Sequence, residues 1–123
     1  MTAYAVAHMR QVEFGPDIVR YLEKIDATLA PFGGRFRVHG AEVQPLEGDW
    51  PGHLILIEFP DLAHAQAWYA SPAYREILGL RLAHSRSDAI LVEGCDDDHK
   101  ATDILAAPAP VSAPDGLVLS SVP

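Results

Sequence analysis

The chain contains one cysteine, Cys95, so no internal disulfide can form and the C-x-x-C spacings of thiol metal sites and redox centres are absent. That scarcity points to a reduced, cytoplasmic setting. Basic residues are also few: nine Lys and Arg face 17 Asp and Glu, for a formal charge of −8. Such a surface repels a phosphate backbone and offers anionic lipid no polybasic hold, so neither nucleic acid nor a membrane is an expected partner. The longest aliphatic run, Leu54-Ile55-Leu56-Ile57, is far too short to span a bilayer. Met1-Thr2-Ala3-Tyr4 lacks the basic and apolar stretches of a signal peptide.

Several catalytic signatures are missing as well. The six histidines show no H-x-H, H-x-x-x-H or H-E-x-x-H spacing. No G-x-S-x-G, P-loop or G-x-G-x-x-G occurs, which sets aside nucleophile-elbow hydrolases and nucleotide-dependent enzymes. Asp96-Asp97-Asp98-His99 suits a hard cation by composition only, and Cys95 has no basic neighbour to activate it. No metal and no cofactor is expected.

What is present is an ordinary globular composition: 123 residues, 49% hydrophobic and 21% charged, enough for one independent core. The acidity is uneven. Beyond Gly94, five aspartates face Lys100 alone, which places half of the net charge in under a quarter of the chain. With Pro108, Pro110, Pro114 and Pro123 among many Ala and Ser, residues 95–123 read as an acidic, Pro/Ala-rich tail appended to a domain over residues 1–94. Gly116-Leu117-Val118-Leu119 is the one apolar patch in that tail that could dock on the domain or on a neighbouring subunit.

Within residues 1–94 the pattern predicts a strand over Ala3–Met9, then a helix opened by Gly15-Pro16-Asp17. That helix carries an Ile18, Leu22, Ile25, Leu29 stripe and closes at Gly33-Gly34. Strands follow at Arg35–His39 and His53–Phe59, separated by a turn-rich loop containing Glu47-Gly48-Asp49-Trp50-Pro51-Gly52. Asp61 caps a helix to about Tyr69, Ser71-Pro72 restarts it as far as His84, and the last strand is Asp88–Glu93. Two helical crossovers and one short connection make βαββαβ: an α+β, ferredoxin-like antiparallel four-stranded sheet with helices on one face.

Side chains alternate along a strand, so each strand divides into two sets. Assigning the apolar sets to the helices leaves Tyr4, Val6, His8, Arg37, His39, Leu54, Leu56, Glu58, Leu91 and Glu93 on the opposite face. Aliphatics left exposed there each forgo about 1.5–3 kcal/mol. The expected remedy is a homodimer packed through this open sheet face, with the polar residues gathered at an enclosed cavity.

Several stretches, in order, resemble one family. They are Tyr4-Ala5-Val6-Ala7-His8, Gly33-Gly34-Arg35-Phe36, Leu46-Glu47-Gly48-Asp49-Trp50, Ile57-Glu58-Phe59-Pro60, Ala67-Trp68-Tyr69-Ala70-Ser71-Pro72-Ala73-Tyr74 and Leu91-Val92-Glu93-Gly94. Across Tyr4–Gly94 the chain resembles the family called domain of unknown function 1330. The resemblance implies a ferredoxin-like protomer of the dimeric α+β barrel class and implies no reaction. Members of that barrel class include cofactor-independent monooxygenases, lactone isomerases and haem-dependent enzymes, and a shared fold does not carry chemistry with it.

The candidate catalytic group is His8 as general base, Arg37 as holder of an anion or enolate, and Glu58 to orient His8 or to act as base if burial raises its pKa. Tyr4, His39, Trp50, Tyr69, Tyr74 and Arg81 are the expected pocket lining, with Tyr74 and Arg81 seven residues apart on one helical face. An Arg37–Glu58 cross-strand pair beside a structural His8 is the plainer alternative. Function narrows to a dimer binding a small, partly apolar, anionic organic molecule. It acts either as a cofactor-free proton-transfer enzyme or as a non-catalytic binding or stress-associated protein. A structural dimer without a pocket is the third reading.

Overall fold

The computed structural model describes residues 1–106. The apolar tail patch at Gly116-Leu117-Val118-Leu119 lies outside the described residues. The elements run β1 (Ala3–Val12), α1 (Pro16–Leu29), β2 (Arg35–His39), β3 (His53–Phe59), α2 (Leu62–Ala70), α3 (Pro72–Leu82), β4 (Ser85–Glu93) and a short exposed α4 (Asp103–Ala106). The sheet order is β2-β3-β1-β4, with every neighbouring pair antiparallel. This is the ferredoxin-like α+β arrangement, with α1, α2 and α3 on one face.

Local chemistry sets the boundaries. α1 ends in a 3₁₀ turn (Ala30–Phe32) capped by Gly33 at φ +71°, where a Cβ would also strike the Pro60 ring at 2.9 Å. Gly52, at φ +86°, enters β3 so close to Met9 that a Cβ would overlap its carbonyl oxygen. Asp61 caps α2 by accepting from the His64 amide at 2.8 Å. Ser71 separates the two helices: its hydroxyl donates to the Trp68 carbonyl at 2.7 Å and accepts from the Tyr74 amide at 3.3 Å. Pro72 then occupies the first turn of α3.

The first and last strands are longer than the pattern predicts. β1 continues through a bulge at Arg10 to Val12, pairing with Ser85 and Arg86, so β4 starts at Ser85 and α3 stops at Leu82. Polar residues hid this hairpin-like extension, because strand propensity reads poorly where hydrogen bonding and the Arg10–Asp88 ion pair (2.8 Å) do the work.

Register corrects two face assignments. Val6 faces Ile90 and Tyr4 faces Val92, so Ile90 and Val92 belong to the open face, while Ala89, Leu91 and Glu93 turn toward the helices. A bulge at Arg37 reverses β2: Phe36 pairs with Ile57 and His39 with Ile55 on the helix face, and Val38 joins Leu56 on the open face. His39, Leu91 and Glu93 therefore leave the open face. The replacements make it more apolar, with Ile90 58% and Val92 43% exposed.

The core lies under α2 and α3, where Phe59, Trp68, Tyr74, Ile77 and Ala65 are almost wholly buried. On α1 the buried residues are Ile18, Tyr21, Ile25, Thr28 and Leu29, so of the expected stripe only Leu22, 40% exposed, stands outside. α1 makes its close backbone approaches to α3, while α2 is the helix that lies close against β1, β3 and β4. The layers thus close beneath α2 and stand apart beneath α1.

Candidate functional site

The space beneath α1 is a cavity of about 460 Å³. Its floor is small: Ala5, Ala7 and Ala89 occupy the helix face of the two strands on which larger residues would fill the gap. Its roof is the Ile18, Tyr21, Ile25 stripe of α1, and Phe14, His39 and His53 also line it. A large, mostly apolar concavity with few polar groups is the usual form of a small-molecule site.

The polar groups concentrate at Tyr21, Tyr74 and Arg81. Tyr21 and Tyr74 share a hydrogen bond of 2.7 Å between their hydroxyls, with both rings buried. Burial, reinforced by the neighbouring Tyr74 phenol, pushes the Tyr21 pKa far above its ordinary value, so Tyr21 stays neutral. Arg81 is only 8% exposed, and its Nη1 donates to Ser87 Oγ at 2.7 Å. The guanidinium carbon sits 5.8 Å from the centre of the Tyr21 ring. Burial disfavours the Arg81 charge, but the adjoining Tyr74 and Tyr21 phenols outweigh it and raise the pKa; Arg81 is a permanent cation. Among the described residues no carboxylate lies within 4.0 Å of it. A buried cation ordinarily has an anionic partner, because its desolvation is otherwise uncompensated.

His39, Tyr69, Tyr74 and Arg81 all line this cavity. His39 is exposed and stacks on Phe36, centroids 4.1 Å apart. The remaining expected residues are elsewhere. His8 is on the open sheet face, where its ring stacks on Trp50 at 3.9 Å and its Nε2–H donates to the Pro51 carbonyl at 2.8 Å. Together they clasp the end of the β2–β3 loop to the sheet. Tyr4 is also on the open face, opposite Glu58.

Arg37 grips Glu58 from the same face, Nε to Oε1 at 3.0 Å and Nη2 to Oε2 at 3.5 Å. The Arg37 hydrogen bond holds the Glu58 pKa below its ordinary value, opposite to what a base working near neutrality needs. That pair contributes stability above the ordinary carboxylate range and loses it as the pH falls through the lowered Glu58 pKa. The structure therefore does not bring His8, Arg37 and Glu58 to the cavity.

Tyr21 is the residue that reading the sequence missed. The signal was present, since Ile18, Tyr21, Ile25 and Thr28 make a helical stripe as good as the Leu22 one. A phenol within that stripe, with Tyr74 and Arg81 on a second helix, is the pattern to look for.

No helix among the described residues is long and apolar enough to cross a membrane. The fold is similar to several solved structures. A protein of unknown function from Rhodopseudomonas palustris aligns with TM-score 0.60 and 18% identity, over 77% of this chain and 83% of that one. A dimeric ferredoxin-like protein of unknown function from Jannaschia sp. CCS1 aligns with TM-score 0.59 and 17% identity, over 76% of this chain and 100% of that one. SnoaB, a cofactor-independent oxygenase from Streptomyces nogalater, aligns with TM-score 0.54 and 16% identity, over 77% and 94%. At these identities the likeness shows the fold alone. No curated protein matches the chain. The family model described as Domain of unknown function (DUF1330) matches residues 2–95, and the chain belongs to that family.

Proposed function

We propose that this protein binds a small, largely apolar organic molecule bearing an anionic oxygen group, held between α1 and the sheet. The observation that carries this reading is Arg81, a buried cation on an apolar cavity with no carboxylate partner among the described residues. The ligand's anion is that partner, and the free proton of the Tyr21–Tyr74 pair is a second donor to it. A proton-transfer activity in this cavity would draw on His39, which lines it, in place of His8.

The test is a titration of the protein with 2-naphthoate and with the neutral, equally shaped 2-naphthamide, followed calorimetrically. The naphthoate is expected to bind at least about tenfold tighter, since charge-assisted hydrogen bonds are roughly twice as strong as neutral ones. Equal affinities would overturn the reading.

The open sheet face supports a homodimer. Val6, Val38, Leu54, Leu56, Ile90 and Val92 form one apolar surface there, and similar folds include proteins described as dimeric ferredoxin-like. Sedimentation equilibrium should give twice the 13.4 kDa chain mass, and Ile90→Asp, which alters an exposed side chain, should give the single-chain mass. A wild-type monomer at micromolar concentration would contradict this.

A further inference from the structure

Resting on the anion-binding reading above, the geometry points to a narrower ligand class: a monocarboxylate, gripped by the Nε–Nη2 edge of Arg81. A guanidinium presents paired N–H groups whose spacing and plane match the two oxygens of a carboxylate. The hydrogen bond to Ser87 engages Nη1 alone and leaves the Nε–Nη2 edge clear of that serine. Beyond Ser87 the neighbours of the guanidinium are the Tyr21 and Tyr74 hydroxyls, and among the described residues no carboxylate accepts from it. Arg81, Tyr21 and Tyr74 all line the cavity, so the cation and both phenols border the space a ligand would fill.

The same protein shows what that edge does when a carboxylate is within reach. Arg37 engages Glu58 through Nε and Nη2 together, one nitrogen to each oxygen. At Arg81 the guanidinium meets two phenols and a serine but no carboxylate among the described residues. Charge and volume complete the match. One guanidinium balances one negative charge, so a monoanion is favoured over a phosphomonoester dianion. The apolar lining requires that the rest of the molecule be hydrocarbon-like. Only one of the two phenol protons is used in the Tyr21–Tyr74 bond, which leaves the other for an acceptor in the cavity that both residues line.

Ser87 is accordingly a positioning residue: by holding Nη1 it orients the fork without touching the ligand. Ser85, whose hydroxyl donates to the Arg81 carbonyl at 2.8 Å, steadies the same side chain from its backbone.

The experiment compares 2-naphthoate, 2-naphthalenesulfonate and 2-naphthamide on the wild type and on Ser87→Ala and Ser87→Thr, with thermal unfolding measured in parallel. In the wild type, naphthoate should bind about tenfold tighter than the sulfonate, which has the same ring and charge but three oxygens in a pyramid. Ser87→Ala should narrow that ratio to about threefold by freeing the guanidinium to turn, and Ser87→Thr, which keeps the hydroxyl, should restore it.

Equal binding of naphthoate and sulfonate by the wild type would overturn the carboxylate assignment and leave the anion site standing. Naphthamide binding as tightly as naphthoate would overturn both, as would failure of all three probes to bind at millimolar concentration. A ratio unchanged in a folded Ser87→Ala protein would overturn the role given to the Arg81 fork.

Discussion

Arg81→Met is expected to weaken 2-naphthoate binding about 100-fold and to leave the folded protein at least as stable as the wild type. The affinity loss follows from removing two charge-assisted hydrogen bonds, together worth about 3 kcal/mol after desolvation. The unchanged stability follows from the same burial. A buried arginine without a counter-ion is a cost to the empty fold, and an unbranched thioether fills much of its volume with no charge to desolvate. Binding of 2-naphthamide should barely change, which separates loss of the cation from loss of the cavity. Calorimetric titration and thermal unfolding of the two proteins measure both quantities. An Arg81→Met protein that binds naphthoate like the wild type, or that is strongly destabilised, would show Arg81 to be a structural residue serving Ser87 and the tyrosines.

Trp68→Ala should cost about 3–5 kcal/mol of stability, the largest loss expected from any single truncation in this fold. Trp68 is 3% exposed and joins both halves of the helical layer to the sheet. Its ring lies 4.2 Å from that of Tyr74 and 5.4 Å from that of Phe59, and its Nε1–H donates to Thr28 Oγ1 at 3.0 Å. Trp68→Phe keeps most of the packing and loses only that hydrogen bond. Thr28 Oγ1 still donates to the Ile25 carbonyl, so about 1 kcal/mol should be lost. Urea unfolding of the two variants gives the comparison. A loss for the alanine variant no larger than for the phenylalanine one would mean that the aromatic cluster does not hold α1 to α3.

The elements were readable where local chemistry decides them. Gly33, Pro60, Asp61 and Ser71-Pro72 act within a few residues of themselves, and the bounds of β2 and β3 agree with the predicted ones for that reason. The site was harder because it depends on register. In β4 both parities are apolar, Ala89-Leu91 against Ile90-Val92, so hydrophobicity alone cannot say which faces the helices. At Arg37 a one-residue bulge moves His39 from one face to the other, and nothing in the five residues of β2 announces it. Tyr74 and Arg81 were identifiable by their helical spacing; Tyr21 required knowing which of two overlapping stripes on α1 is buried. His8, Arg37 and Glu58 drew attention because polar residues on an apolar face look functional, and their partners turn out to be Pro51, Trp50 and each other.

A crystal soaked with 6-bromo-2-naphthoate separates the two faces of the sheet directly, because bromine can be located by its anomalous signal. The expected result is one bromine in each protomer between α1 and the alanine floor, with the carboxylate against Arg81. Bromine on the opposite face, over His8 and the Arg37–Glu58 pair, would contradict the assignment of the site.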